Sequence, residues 1–131
     1  MPEWTWNDGW ILMSVFLAQG EDGAELHQII GVADAINHAI PTSQELSESF
    51  ARFANCGLMV NEGDRYAIAS EFLSAIKKAY DGKGGLFSSA DKGLKWLKKS
   101  GLVENAKQCV DVDDRQVESA YNRYVKALRK R

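Results

Sequence analysis

Apolar residues recur at helical spacing along most of this chain, and β-prone runs are confined to one short stretch. The clearest pattern lies between Thr42 and Ala69. Leu46, Phe50 and Phe53 stand at i, i+4 and i+7, which places them on one face of a helix. Thr42 followed three residues later by Glu45 fits a capping box, in which each side chain satisfies the other residue's free backbone N–H. Pro41 discourages an earlier helix from running straight through. Gly57 can adopt the left-handed conformation that ends the helix, with Leu58 folding back on Phe53. Leu58–Val60 and Arg65–Ala69 are apolar and β-prone around the turn formers 61–64, so a hairpin is predicted with Asn61–Asp64 as its tip.

Helical spacing continues on both sides. A first helix is predicted from Asn7 or Asp8 as N-cap to about Gln19, apolar nearly all round and so buried on several sides. Residues 1–5 are expected to be loose, although Trp4 and Trp6 should cover something. After a loop at 20–23, a second helix is predicted over about 24–39. Leu26, Ile29, Ile30, Ala33 and Ile36 or Asn37 turn inward, and Glu25, Gln28, Asp34 and His38 outward. Beyond the hairpin, Ser70 is placed as the cap of a helix carrying Phe72, Leu73, Ile76, Ala79 and Tyr80. Asp81-Gly-Lys-Gly-Gly85 reads as a flexible joint. Ser88 or Ser89 starts a further helix to Ser100, with Leu94 and Leu97 inward and Gly101-Leu102 as its stop. Asp113 or Asp114 caps a last helix whose Val117, Ala120, Tyr121, Tyr124 and Leu128 share one face. Its basic end, Arg129-Lys130-Arg131, complements the negative pole of the helix dipole.

The order helix, helix, short corner, helix, hairpin resembles the winged helix-turn-helix superfamily. The elements that carry the likeness are Thr42-Ser-Gln-Glu-Leu46 and Gly57-Leu-Met-Val-Asn-Glu-Gly-Asp-Arg-Tyr66, within residues 8–70. The expected fold is therefore mainly α: a winged helix (three helices plus a short β-hairpin wing) with additional C-terminal helices. Residues 1–80 would form the winged-helix domain, and residues 81–131 a helical extension packing on it or on a second copy. The resemblance bears on fold alone, because winged helices serve DNA binding, RNA binding and protein contact alike.

A chain of 131 residues, 45% hydrophobic and with a formal charge of −2, has the size of one ordinary domain with a genuine core. Trp10–Leu17 is far too short to span a bilayer, and an N-terminus with Glu3 and Asp8 is unlike a signal peptide. No membrane association is expected, and a cytoplasmic location is. Cys56 and Cys109 belong to no metal-binding spacing and read as buried thiols, with a disulfide between them left open. The charge is segregated. Residues 1–70 hold 2 basic and 10 acidic side chains, a net of −8, and residues 71–131 hold 14 and 8, a net of +6. Either the halves dock on each other within one chain, or two copies pair basic half to acidic half.

In DNA-reading members of the superfamily the third helix enters the major groove and the wing touches phosphate. The residues of this chain that would then meet duplex DNA are Gln44, Ser47, Arg52, Asn55 and Arg65. Glu45 and Glu48 on the helix, and Glu62 and Asp64 on the wing, make that surface repulsive to phosphate. A second candidate is the basic face Lys92, Lys95 and Lys99 beside Trp96, with Lys98 close by. It suits nucleic acid or an acidic protein patch, or is a solvated helix face. Arg123, Lys126 and the terminal Arg129–Arg131 pose the same choice. Tyr121, Tyr124 and Leu128 form a candidate oligomer face.

Signatures of catalysis are missing. His27 and His38 stand three helical turns apart, too far to share a metal, and no G-x-S-x-G nucleophile motif occurs. The Gly82–Gly85 stretch lacks the spacing of a phosphate loop, and Cys56 falls where a helix dipole disfavours a thiolate. The sequence thus predicts a module without cofactor or metal. It would act as a regulator or scaffold through protein contact, with itself as a homo-oligomer or with another protein. The alternative is a DNA-binding transcriptional regulator using the Thr42–Cys56 helix and the wing.

Overall fold

A computed structural model describes residues 3–106 and 110–129. Cys109 and the terminal pair Lys130-Arg131 lie outside the described residues, so the Cys56–Cys109 alternative and the basic helix end are not addressed beyond Arg129. The described chain is mainly helical, with one small antiparallel sheet.

Helix α1 (Trp6–Ala18) begins upstream of Asn7, contrary to expectation. Thr5 is its N-cap, and Asp8, at the third helical position, closes a capping box with it. An acid at that position satisfies the Thr5 N–H, and this pulls the start upstream. Trp4 is not loose: it is buried with its ring 6.1 Å from that of Phe53. Trp6 packs beside Trp10 and donates from Nε1 to Asp91.

Residues 24–25 are not helical. They form a two-residue strand, β1 (Ala24–Glu25), and α2 (Leu26–Asn37) starts after it, with Glu25 and Gln28 as its capping box. A two-residue strand is too short to show any periodicity. Helix α3 (Ser43–Asn55) follows the Pro41 corner. Its Thr42/Glu45 capping box is present, Gly57 has φ +73°, and the Leu58 N–H donates to the Phe53 carbonyl at 2.9 Å.

Strands β2 (Met59–Glu62) and β3 (Arg65–Ile68) make the hairpin. Its tip is shorter than expected: Asn61 and Glu62 pair with Tyr66 and Arg65, which leaves Gly63-Asp64 as a two-residue loop. So short a loop needs positive φ at its first position, and Gly63 supplies it at +61°. β1 adds to the far side of β3, giving the order β1-β3-β2.

Ser70 is the first residue of α4 (Ser70–Tyr80) rather than its cap; the cap position is Ala69, tied to the hairpin through its N–H to the Leu58 carbonyl. A single 3-10 turn (Leu86–Ser88) leads into α5 (Ser89–Lys99). The cap of α6 (Asp114–Arg129) is Asp113, which exchanges hydrogen bonds with Gln116.

The core gathers Ile11, Leu12, Met13 and Val15 of α1, Ile29 of α2, and Leu46, Phe50 and Phe53 of α3. Helix α1 is buried over most of its surface because α5 covers the side that α2 and α3 leave open. The two helices touch backbone to backbone at Gly9 and Gly93. A Cβ on Gly93 would stand 2.5 Å from the Gly9 carbonyl oxygen. Helix α6 lies along the side of α2 that the sequence pattern left outward. The Tyr124 ring covers Gly31, and its hydroxyl donates to Asp34 at 2.7 Å. Among the described residues, no helix is long and apolar enough to cross a membrane.

Candidate functional site

The outward side of α3 is where a groove-reading helix would meet its ligand, and there the structure ties Ser43, Ser47 and Asn55 to described residues between α5 and the start of α6. Ser43, Ser47 and Asn55 lie on one stripe of the helix by their spacing. Asn105 donates its N–H to the Asn55 carbonyl at 2.8 Å. Val112 is buried on α3, and Ser47 Oγ both accepts from its N–H (2.8 Å) and donates to its carbonyl (3.1 Å). Ser43 Oγ donates to Asp114. The connection thus meets α3 at both ends, and it brings the exposed acids Asp111, Asp113 and Asp114 to a surface that already carries Glu48.

Arg52 faces inward. Its Nη1 donates to both oxygens of Asp8 (2.9 and 3.1 Å), a carboxylate wholly removed from solvent. Ser49 Oγ donates to the same group at 2.7 Å, and Thr5 adds its N–H and hydroxyl. A buried carboxylate is tolerable only when its lone pairs are filled in this way. Glu45 is likewise occupied: Oε1 accepts from the Thr42 N–H and Oε2 from Asn7 Nδ2. Of the five proposed DNA contacts, Ser47 lies under the connection, Asn55 holds its end, and Arg52 is bonded to Asp8. Gln44 is exposed and donates to Glu48 at 3.1 Å.

Arg65 is exposed on the hairpin, opposite Glu62, with one guanidinium nitrogen 3.7 Å from Glu25. Glu25 also receives Arg123 at 3.3 Å, an ion pair between the acidic and basic halves of the chain. His27 Nδ1 lies 3.2 Å from Glu25 Oε2 but without hydrogen-bond geometry. Burial first and Arg123 second push the His27 pKa below its ordinary value, against the opposing pull of Glu25. Glu25, His27 and Arg123 line an open cleft of about 450 Å³ between the start of α2, the hairpin and α6.

The basic face of α5 is half of a groove. Helix α4 and the turn after it supply the other wall, so Lys78 and Lys83 join Lys95 and Lys99 around a floor made by Trp96 and Ala79, enclosing about 470 Å³. Trp96 stands edge-on to Phe72. Lys92 takes a different part from the one its helical spacing suggests: its ammonium donates to the carbonyls of Tyr80 and Gly82 at 2.9 and 3.0 Å, capping the end of α4. The 81–85 joint is thereby tied to α5.

On α6, Tyr124 is committed to α2, whereas Tyr121 and Leu128 are 41% and 46% exposed. Cys56 is buried at the end of α3, and burial, with Glu104 second, pushes its thiol pKa up. Among the described residues, no group of three or more His, Cys, Asp or Glu side chains could hold a metal ion.

The chain matches no protein-family model, no curated protein and no solved structure. Its surfaces have to be read from their own chemistry. Sequence reasoning missed Asp8, although the Thr5-x-x-Asp8 spacing is itself a capping signal. It also missed the contribution of α4 to the lysine groove, since that depends on how α4 and α5 pack.

Proposed function

We propose that this chain is a winged-helix module that works without catalysis, as a regulator or scaffold in the cytoplasm, by protein contact and most simply contact with its own copies. The helix order, the corner at Pro41 and the hairpin following α3 support the winged-helix part. One observation carries the functional part: the side of α3 that would enter a DNA groove is bonded at Ser43 and Ser47 to the chain's own Asp114 and Val112 and fringed by carboxylates. Phosphates would meet Glu48, Asp113 and Asp114 there. Arg52, the cation on that helix, is neutralised by Asp8. Charge left over on separated surfaces favours docking between proteins, with apolar contact supplying most of the affinity.

The test is a light-scattering mass determination beside a low-salt gel shift with random duplex DNA. A mass above the monomer without a DNA shift is the expected result. A strictly monomeric chain that captures no protein overturns the proposal. Duplex binding that weakens with salt and is lost on Arg65→Glu would establish the DNA-binding alternative instead.

A further inference from the structure

We propose that the lysine-rimmed groove between α4 and α5 receives the acidic tip of the β2–β3 hairpin from a second copy of the chain, head to tail. This rests on the reading of the chain as a self-associating module, and adds to it the two surfaces that meet.

The groove asks for an occupant that is both anionic and partly apolar. Lys78, Lys83, Lys95 and Lys99 have no carboxylate partner among the described residues, and the nearby Asp81 is paired with Lys77. These four charges, with the carbonyl-bound ammonium of Lys92 as a fifth at the same cleft, repel each other until an anion enters. Beneath them the floor is apolar, with Trp96 and Ala79.

The hairpin meets both demands. Glu62 and Asp64 are exposed at its tip, and Val60, two residues before Glu62 and on the same side of β2, is 53% exposed. Exposed acids also occur at Glu21 and Asp22 without an exposed large apolar neighbour. Glu104 beside Val103, and Asp114 and Glu118 beside Tyr121, have one but lie on the α5–α6 connection and a helix face rather than on a narrow projecting turn. A two-residue turn is narrow, with strands about 4.8 Å apart, so its side chains can reach between two helices whose axes stand about 8–10 Å apart. Single-stranded nucleic acid fits less well, because sequence-tolerant binding uses successive stacking platforms and this groove offers one aromatic, already edge-on to Phe72. Meeting once per pair, groove and hairpin make a heterologous contact that builds rings or open chains; meeting twice across a two-fold axis they close a symmetric dimer, and the measured mass separates the two.

The experiment measures mass by light scattering or sedimentation for the wild type and two double variants, Lys95→Glu/Lys99→Glu and Glu62→Lys/Asp64→Lys. All four positions are exposed. The wild type should associate at low salt and dissociate as salt shortens the reach of exposed charge. Each variant alone should associate at least about tenfold more weakly. Mixed in equal amounts, they should associate again, because an intact groove then meets an intact hairpin and the two charge-reversed surfaces are themselves complementary. That rescue also shows that both variants are folded. Variants that associate like the wild type, or a mixture that stays monomeric, overturn the groove–hairpin assignment while leaving self-association standing. A wild type that is monomeric under all conditions overturns both. A monomeric wild type whose groove binds a labelled single-stranded oligonucleotide, with loss on Lys95→Glu/Lys99→Glu, assigns the groove to nucleic acid.

Discussion

The guanidinium of Arg52 on α3 and the carboxylate of Asp8 on α1 form an ion pair at 2.9 Å, with Asp8 fully buried. The pair joins the first turn of one helix to the last turn of another. Breaking a buried pair by removing one partner costs about 3–5 kcal/mol. Arg52 is about a third exposed, which discounts that figure, and Thr5 and Ser49 still serve Asp8. Arg52→Ala should therefore cost about 2 kcal/mol, measured by urea unfolding. Arg52→Glu, which sets a second carboxylate beside the first, should cost more. Loss of any binding activity in Arg52→Glu therefore has to be separated from loss of fold, and Arg65→Glu on the exposed hairpin is the cleaner probe.

Gly93→Ala should destabilise the chain by about 1–3 kcal/mol through overpacking. Helix propensity alone predicts the opposite sign, a gain of about 1 kcal/mol for Gly to Ala. The added methyl would stand 2.5 Å from the Gly9 carbonyl oxygen, a contact with backbone that cannot swing aside. Thermal unfolding decides the sign.

Acid should weaken the fold through His27. Its folded pKa lies below its ordinary value near 6.5. The unfolded chain therefore binds this proton more readily, and stability rises with pH across the window. The loss begins as pH falls through the unfolded value and levels off below the lowered folded value. His27→Gln should flatten that part of the stability-against-pH curve, read from urea midpoints between about pH 7 and 5. A slope unchanged in the variant would assign the acid sensitivity to other groups.

Cys56 should resist modification in the native state. In a Cys109→Ser background, a thiol reagent at neutral pH should label it slowly and only by way of opening, and label it at once in denaturant. Burial both hides the sulfur and raises its pKa, so little thiolate is presented. Rapid native labelling would show that the end of α3 opens readily.

What could be read from the sequence was local. The Thr42/Glu45 box, the Gly57 stop and the hairpin each rest on residues within a few positions of one another, and each is present. Errors occurred where a nearby partner outweighed the pattern. Asp8 pulled the start of α1 upstream to Thr5, and pairing with Tyr66 and Arg65 drew residues 24–25 into a strand. The surfaces were hardest to see. Arg52 looks outward by periodicity, yet a buried carboxylate 44 residues away claims it. Lys92 looks like part of a basic stripe, yet the freed carbonyls at the end of α4 hold it. Ser47 looks available until the backbone of Val112 claims its hydroxyl. No one-dimensional spacing contains these facts, because each depends on two segments brought together by the core.

The contact of Gly9 with Gly93 also bears on how the chain is made. On the ribosome, α1 emerges ahead of the other helices described, yet the helix that shields its remaining apolar flank is synthesised more than 80 residues later. Until then the flank of α1 around Gly9 faces water or a chaperone, and closing so distant a contact is entropically slow. A nascent polypeptide stalled after Tyr80 should therefore be stickier than the finished protein, and release of α5 from the exit tunnel would be the event that protects it.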